Sequence, residues 1–404
     1  MSADLAVREL KTSRLGDGQG ALTHLLAFTV LYCLMMASAP RAYGMSLALL
    51  LALALAVRSG MWKRFWARYQ MAVWGVLALT AVNAGAAVLP GRALSGGYEL
   101  LRCVALMLPA LALVSCVERG LVIGWLKAFC VVLSGCFLAL YLAHADGPHL
   151  QWRVYAWAEQ HFGNVHNLIN VSALVLLGTA VITAFERKPG QRIVFGLLLV
   201  FGLWFQWVLS SEGTYLALLL CALAWLAMRF DGVLRVLALA GLAGGVLAYA
   251  LLMSFPDVAK SAAGISLGGF EIRSVLNARI IELVAERPWL GFGMNSFKNI
   301  PEAAIDGVAF LYPHQIYLEA LFSLGILGTA AFAGVLYGFF RFANRATILA
   351  EPLGMLGFLI AVYMAGKGLT DMKLVAVQPL GIILMSAVFM SRPAGSADRE
   401  EPRQ

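Results

Sequence analysis

The chain has 404 residues, of which 61% are hydrophobic and 13% charged, with a mean hydropathy of +0.80. That balance excludes a soluble globular fold and points to an all-α polytopic membrane protein. The formal net charge of +8 invites a nucleic-acid reading, but the basic residues fall in short clusters between apolar runs, as the positive-inside rule requires, so no nucleic-acid partner is expected.

In chain order, a polar segment of mixed charge, 1–21, precedes an apolar run at 22–38. The small residues closing that run look like a signal-peptidase site, yet the acid-containing lead and the following Pro40 argue for a retained anchor. Further apolar runs follow at 44–57, 71–89, 98–116, 121–143, 165–185, 193–210, 213–229, 233–254, 314–340, 352–366 and 372–390. Each is roughly long enough to cross a ~30 Å hydrocarbon core when tilt is allowed, which predicts about twelve transmembrane helices in a single membrane domain, 1–404. The tail 391–404 is polar and of low complexity, and is expected to be disordered inside the cell. No internal repeat is evident, so the inverted halves of many secondary transporters are not expected. Cys33, Cys103, Cys116, Cys130, Cys136 and Cys221 lie in or at the ends of apolar runs without zinc spacing, and read as small core residues.

Placing the amino terminus in the cytoplasm puts the basic connectors 58–68, 186–192, 229–235 and 341–345 on one inner side. Of the 30 Lys and Arg residues, 19 are then inside and 11 outside, a bias that fixes orientation with both termini cytoplasmic. Five of the outside residues lie in the long connector 255–313, whose length marks it as the functional loop. A second outer segment, 144–164, carries three histidines, two tryptophans and Arg153.

Within the long connector, Ile272, Leu276, Ile280, Leu283 and Val284 recur with the period of an amphipathic helix. Arg279, Glu282 and Glu286 gather on its far face, where they neutralise one another. Arg273 stands beside Asn277 at the edge of the apolar face, where an unpaired guanidinium calls either for an anionic ligand or for snorkelling to the interface. Pro288 ends this helix and Gly291 and Gly293 make a tight turn; the third glycine of a dinucleotide fingerprint is missing. Then LYPHQIYLEALFSLGILG (311–328) sets His314 at the mouth of a membrane helix, with Glu319 just inside. An imidazole titrates near neutral pH and costs less at a membrane surface than a fixed charge. His314 is therefore a candidate general base, with a helix cap as the alternative. Glu319 falls about 140° around the helix from it at ~100° per residue, and reads as a packing or capping partner.

Together these pieces resemble the O-antigen ligase/polymerase superfamily. The resemblance rests on Arg273, then Pro288, Leu290, Gly291, Gly293, Ser296 and Phe297, then His314, Gln315, Leu318, Glu319, Leu321, Gly325 and Gly328, with a weaker match at FGNVHN (162–167). It covers roughly residues 160–330. One departure stands out: Ser211, Glu212 and Gly213 occupy the place where the family often has Ser-Arg-Gly. If that arginine binds diphosphate, another cation must do so here, with Arg153, Lys367, Lys373, Arg279 and Arg102 available. Glu212 itself reads as a first-turn carboxylate favoured by the helix dipole, and Asn164 as a helix cap.

The resemblance implies a GT-C-like architecture and transfer of a glycan from an undecaprenyl diphosphate carrier to a hydroxyl of lipid A–core, at the outer face of the bacterial inner membrane. Under this reading Arg273 and Arg153 hold the diphosphate and His314 deprotonates the acceptor, which attacks with inversion. Asn277, Glu212, Glu319, Lys367 and Lys373 are possible supporting residues. No Asp-x-Asp occurs, and neither a metal nor another cofactor is expected. A polymerase acting on a second carrier-linked repeat unit is the nearest alternative. A transporter or flippase is the alternative from another class, though transporters concentrate ionisable residues near the bilayer midplane.

Overall fold

The computed structural model describes residues 17–35, 50–52, 54, 61–145, 150–162, 164–254, 268–304, 310, 312–374 and 376–391. Among them the regular elements are helices: α1 (Asp17–Met35), α2 (Met61–Ala86), α3 (Pro90–Ala105), α4 (Met107–Cys116), α5 (Arg119–His144), α6 (Leu150–Phe162), α7 (Val165–Phe185), α8 (Pro189–Leu209), α9 (Glu212–Arg229), α10 (Val233–Ser254), α11 (Gly268–Glu286), α12 (Ile316–Phe340), α13 (Arg345–Ala350), α14 (Pro352–Lys367) and α15 (Val377–Phe389). Prolines at the first turn start α3, α8 and α14, where the missing N–H costs nothing. Side-chain oxygens of Asn164, Gln315 and Asn344 cap α7, α12 and α13.

Among the described residues, seven helical stretches are long and apolar enough to cross a membrane: α3 with α4, then α5, α7, α8, α9, α10 and α12. Three shorter apolar stretches, in α1, α14 and α15, add to these. The run expected at 44–57 lies largely outside the described residues, as do 255–267 of the long connector and all of the carboxyl tail beyond Ser391. The run expected at 98–116 is two helices meeting at Leu106.

The bundle is built around α7, 78% of whose span is buried, while α10 at 11% lies on the outside of the bundle. Polar side chains join helices inside it: Gln206 of α8 donates to Ser172 Oγ of α7 at 2.7 Å, and the Tyr363 hydroxyl of α14 donates to Asn170 Oδ1 at 2.9 Å. In an apolar surround such bonds are worth keeping because the unpaired alternative is costly.

The four basic connectors do share one end of the bundle. Arg341 donates to the Arg68 carbonyl at 3.2 Å, Arg345 to the Met228 carbonyl at 3.0 Å and to Asp231 at 2.9 Å, and Arg119 pairs with Glu351 at 2.8 Å. Glu186 pairs with Lys127, whose ammonium holds its carboxyl below the usual carboxylate range.

At the opposite end α11 lies over a separate apolar cluster. Leu276, Ile280 and Leu283 are buried there with Phe292, Phe297 and Phe322, the apolar face expected from the sequence. Arg279 pairs with Glu282 at 2.7 Å, also as expected. The glycine turn is what locks this layer to the bundle. The helix α12, expected to be continuous, breaks at Gly325 (φ 65°, ψ −174°). Phe292 N and Gly293 N donate to the carbonyls of Phe322 and Ser323 at 2.8 and 3.0 Å, and Ile326 N donates to the Pro288 carbonyl at 2.7 Å. Gly291 and Gly325 cross backbone to backbone at positive φ, so a side chain at either would meet main-chain atoms of the other segment. Asn83 of α2 completes the latch, donating to the Ser323 carbonyl at 2.9 Å and accepting from Met294 N at 2.8 Å.

Candidate active site

His314 sits one residue before the cap of α12. The capping duty falls on Gln315, whose side chain accepts from Leu318 N at 2.9 Å, so the capping alternative for His314 is set aside. The histidine itself has φ 60°, a conformation rare outside glycine that must be held by its surroundings. Tyr312 packs against the imidazole with ring centroids 4.3 Å apart, and Phe310 meets it edge-on at 6.3 Å.

Its partner comes from the segment after α14. Asp371 Oδ1 accepts from His314 Nδ1 at 2.8 Å. The other carboxylate oxygen lies 3.1 Å from His166 Nδ1 at the start of α7, without hydrogen-bond alignment. One carboxylate thus faces two imidazoles. The Asp371 side chain is 4% exposed, whereas those of His314 and His166 are 31% and 38% exposed. Burial alone would raise the Asp371 pKa, but the His314 hydrogen bond and the nearby His166 and Lys367 charges outweigh it and hold the group below the usual carboxylate range. Ionised Asp371 fixes the His314 proton on Nδ1 and leaves the lone pair on the far nitrogen, the tautomer a base needs. Tyr312 goes the other way: burial, with Asp371 and Glu319 close by, pushes its phenol up, so it stays a neutral hydroxyl.

The segment carrying Asp371 is pinned at several points. Ile316 N donates to the Gly368 carbonyl at 2.9 Å, and buried Glu319 accepts from Leu374 N at 2.6 Å. Lys373 donates to Asn295 Oδ1 at 2.7 Å, tying the segment to the glycine turn. These contacts explain why α15 begins at Val377 and not at 372 as the apolar run suggests. Glu319, expected to be a packing or capping partner, takes the Leu374 N–H.

Lys367, at the end of α14, is 1% exposed and donates to Ser211 Oγ at 3.3 Å. Its ammonium thus stands against the very serine that precedes Glu212. Glu212 is in the first turn of α9, as expected. Arg273, half-buried on α11, acts electrostatically on His166 and Lys367, with Asn277 buried one turn on. Two of the other candidate cations are engaged in pairs of their own. Arg102 pairs with Glu99 at 2.9 Å on the surface, Arg279 is held by Glu282 and the Glu302 carbonyl, and Arg153 is half-buried on α6. Asn164 caps α7 by accepting from His166 N at 2.8 Å.

The cluster therefore brings together an imidazole hydrogen-bonded to a buried carboxylate, two cations, and the amino-terminal ends of α7 and α9 with their positive dipole ends. Residues 172–333 match the family model described as O-antigen ligase. Over that segment the chain is similar to the O-antigen ligase family. The family comprises glycosyl-transfer enzymes of ligase and polymerase type, whose partners in general are a lipid-linked glycan and a glycan acceptor. No curated protein matches the chain. The matched segment includes Ser211, Arg273, the glycine turn and His314; His166 precedes it, and Lys367 and Asp371 follow it.

Asp371 and His166 are the site residues that sequence reasoning missed. Asp371 is 57 residues from His314, and no local spacing joins them. A signal was present in Lys367, Asp371 and Lys373, two charges between apolar runs and one at the start of the second, where ionisable residues are costly and tend to be functional.

Proposed function

We propose that this protein transfers a glycan from an undecaprenyl diphosphate carrier to a hydroxyl of lipid A–core at the periplasmic face of the bacterial inner membrane. The observation that carries the reading is the His314–Asp371 pair with Lys367 and Arg273 beside it. The far nitrogen of His314 takes the acceptor proton as the acceptor oxygen bonds to the anomeric carbon. The bond from that carbon to the carrier oxygen breaks, and its electron pair leaves with the diphosphate. Attack opposite the leaving group inverts the anomeric centre. Asp371 stabilises the imidazolium that forms, as a buried carboxylate does for a catalytic histidine.

A diphosphate is a stable leaving group once its charge is held, so neither the two carboxylates of glycosidases nor a divalent metal is required. Arg273 and Lys367 supply the positive charge, Arg273 as a two-pronged donor and Lys367 as a point charge. Lys367 rather than Arg153 takes the place of the family's arginine, because its ammonium contacts Ser211.

The test is transfer by the purified protein in liposomes that contain a carrier-linked glycan, with lipid A–core and a second carrier-linked unit offered in parallel as acceptors. Glycosylated lipid A–core with release of undecaprenyl diphosphate is expected. Product on the carrier-linked acceptor alone would make the protein a polymerase, and vectorial movement of the intact donor without product would make it a flippase.

A further inference from the structure

At the end of the bundle opposite His314, a cavity of about 710 Å³ opens among the ends of α5, α7, α9 and the α13–α14 corner. Arg119, Arg187 and Arg229 line it, with Trp225, Phe185 and Glu186. Three carboxylates at this end are engaged: Glu186 with Lys127, Asp231 with Arg345, and Glu351 with Arg119. Among the described residues, the Arg187 and Arg229 guanidiniums have no hydrogen-bond or ion-pair partner. A second cavity of about 470 Å³ adjoins the first, sharing Arg119 and Ala350 with it. Its walls are mostly apolar, with Leu113, Val117, Val122, Leu353 and Phe389 among them.

The positive-inside rule accounts for arginines at this end. It does not account for two of them facing a common cavity unpaired, nor for an apolar chamber next door. A chamber rimmed by guanidiniums suits a phosphodiester, whose two free oxygens match the planar fork. An adjoining apolar chamber suits the first carbons of an acyl chain. Basic pockets between membrane helices are a known way to hold anionic headgroups, and α7 alone, at 21 residues and ~1.5 Å per residue, puts this one about 30 Å from the His314 cluster. That distance is about one hydrocarbon core.

We propose that this pair of cavities binds an anionic phospholipid, with the phosphodiester between Arg187 and Arg229 and an acyl chain in the chamber beyond Arg119. The inference is independent of the transfer reaction, and its test uses no activity.

The full-length protein is purified in detergent, stripped of lipid, and titrated with phosphatidylglycerol or phosphatidylethanolamine of identical acyl chains while native mass spectra are recorded. Phosphatidylglycerol is expected to be retained at least several-fold better. The Arg187→Gln/Arg229→Gln variant is expected to lose that preference, and the Lys/Lys variant to keep part of it, since charge remains but the fork is gone. Val117→Trp, which fills the apolar chamber, is expected to weaken retention of both lipids. Inorganic phosphate at millimolar concentration is expected not to displace the lipid. Equal retention of the two lipids by the unmodified protein, or full phosphatidylglycerol preference in the Gln/Gln variant, would overturn the proposal. Displacement by inorganic phosphate, with no effect of Val117→Trp, would overturn it in favour of a soluble anion. If the Gln/Gln variant fails to fold, the headgroup preference of the unmodified protein and the Val117→Trp result still decide.

Discussion

The helices α7, α9 and α14 each carry one polar region at either end, and the two regions solve the problem of charge differently. At the His314 end, His166, Ser211 and Lys367 sit on or beside these helices, and Asp371 is enclosed among them with opposite charges on several sides. At the other end, Arg187 and Arg229 are exposed and meet no carboxylate among the described residues. Bringing an ion out of water is affordable where a partner is already in place, and a preorganised site must arrange this before substrate arrives. Arginines at a headgroup surface need no internal partner because lipid phosphate and water supply one. The contrast predicts that substitutions at the first end cost activity and stability together, and that those in surface pairs cost little of either.

The largest effect is expected at the base. His314→Gln keeps hydrogen bonding but cannot take up the acceptor proton, and should lower transfer by about 10²–10⁴-fold, the range for general-base catalysis. Asp371→Asn should lower it by about 10²-fold, since an amide neither fixes the tautomer nor stabilises the imidazolium. Both are measured as product per unit of protein in liposomes, and near wild-type transfer by His314→Gln would leave that residue a merely structural role.

Asp371 also predicts a pH signature. Its folded-state pKa is depressed, so its contribution to stability is complete above the ordinary carboxylate range, about pH 4, and is lost as the pH falls below it. The melting temperature of Asp371→Asn should therefore fall short of wild type by a constant margin between pH 6 and 8. The gap should narrow below about pH 4. A gap that widened on acidification would mean that the carboxylate is not the stabilised form.

Next come Lys367 and Arg273. Lys367→Met removes the ammonium but keeps most of the apolar length, and should lower transfer by about tenfold or more while raising the carrier concentration needed for half-maximal rate. Arg273→Lys keeps charge without the fork and should cost less. Unchanged transfer by Lys367→Met would return attention to Arg153. Asn83→Ala touches no charge, but it leaves Met294 N without its Asn83 partner and leaves the Ser323 carbonyl with the Gly293 N–H alone. One unsatisfied buried group costs about 1–3 kcal/mol, so a loss of that size in stability is expected, read as a lowered melting temperature.

How far this could be read from the sequence differs by kind of signal. Periodicity and local chemistry were legible: the buried face of α11 through Leu276, Ile280 and Leu283, the Arg279–Glu282 pair, the Asn164 cap, and the turn at Gly291 and Gly293. The clustering of Lys and Arg correctly grouped four connectors at one end. What was not legible depends on contacts between distant segments. Asn83 and Ser323 are 240 residues apart and Lys367 and Ser211 are 156 apart, and neither pair leaves a local pattern. The break at Gly325 was hidden because its reason is the backbone of Trp289 and Leu290 crossing there, while the run itself is apolar throughout. The length of α2 was underestimated because its first turns carry Lys63, Arg64 and Arg68 among aromatic residues, which a hydropathy reading assigns to a loop.

The smallest effect is expected at Arg102, and it probes the contrast from the other side. By sequence Arg102 was one of five cations available to hold a diphosphate. In the structure its side chain is 50% exposed, pairs with Glu99 one turn away at 2.9 Å, and lies over the Tyr98 ring at 5.7 Å. Water screens such a pair, and holding two long side chains in one geometry offsets most of the attraction. Arg102→Gln should therefore change transfer by less than twofold and leave the melting temperature within about a degree of wild type, with a slightly larger difference at low salt than at high salt. Lys367→Met carries the same change of charge into a site where the ammonium is enclosed. If Arg102→Gln lost as much transfer as Lys367→Met, the distinction between enclosed and solvent-screened cations would fail, and the diphosphate would have to be sought nearer α3.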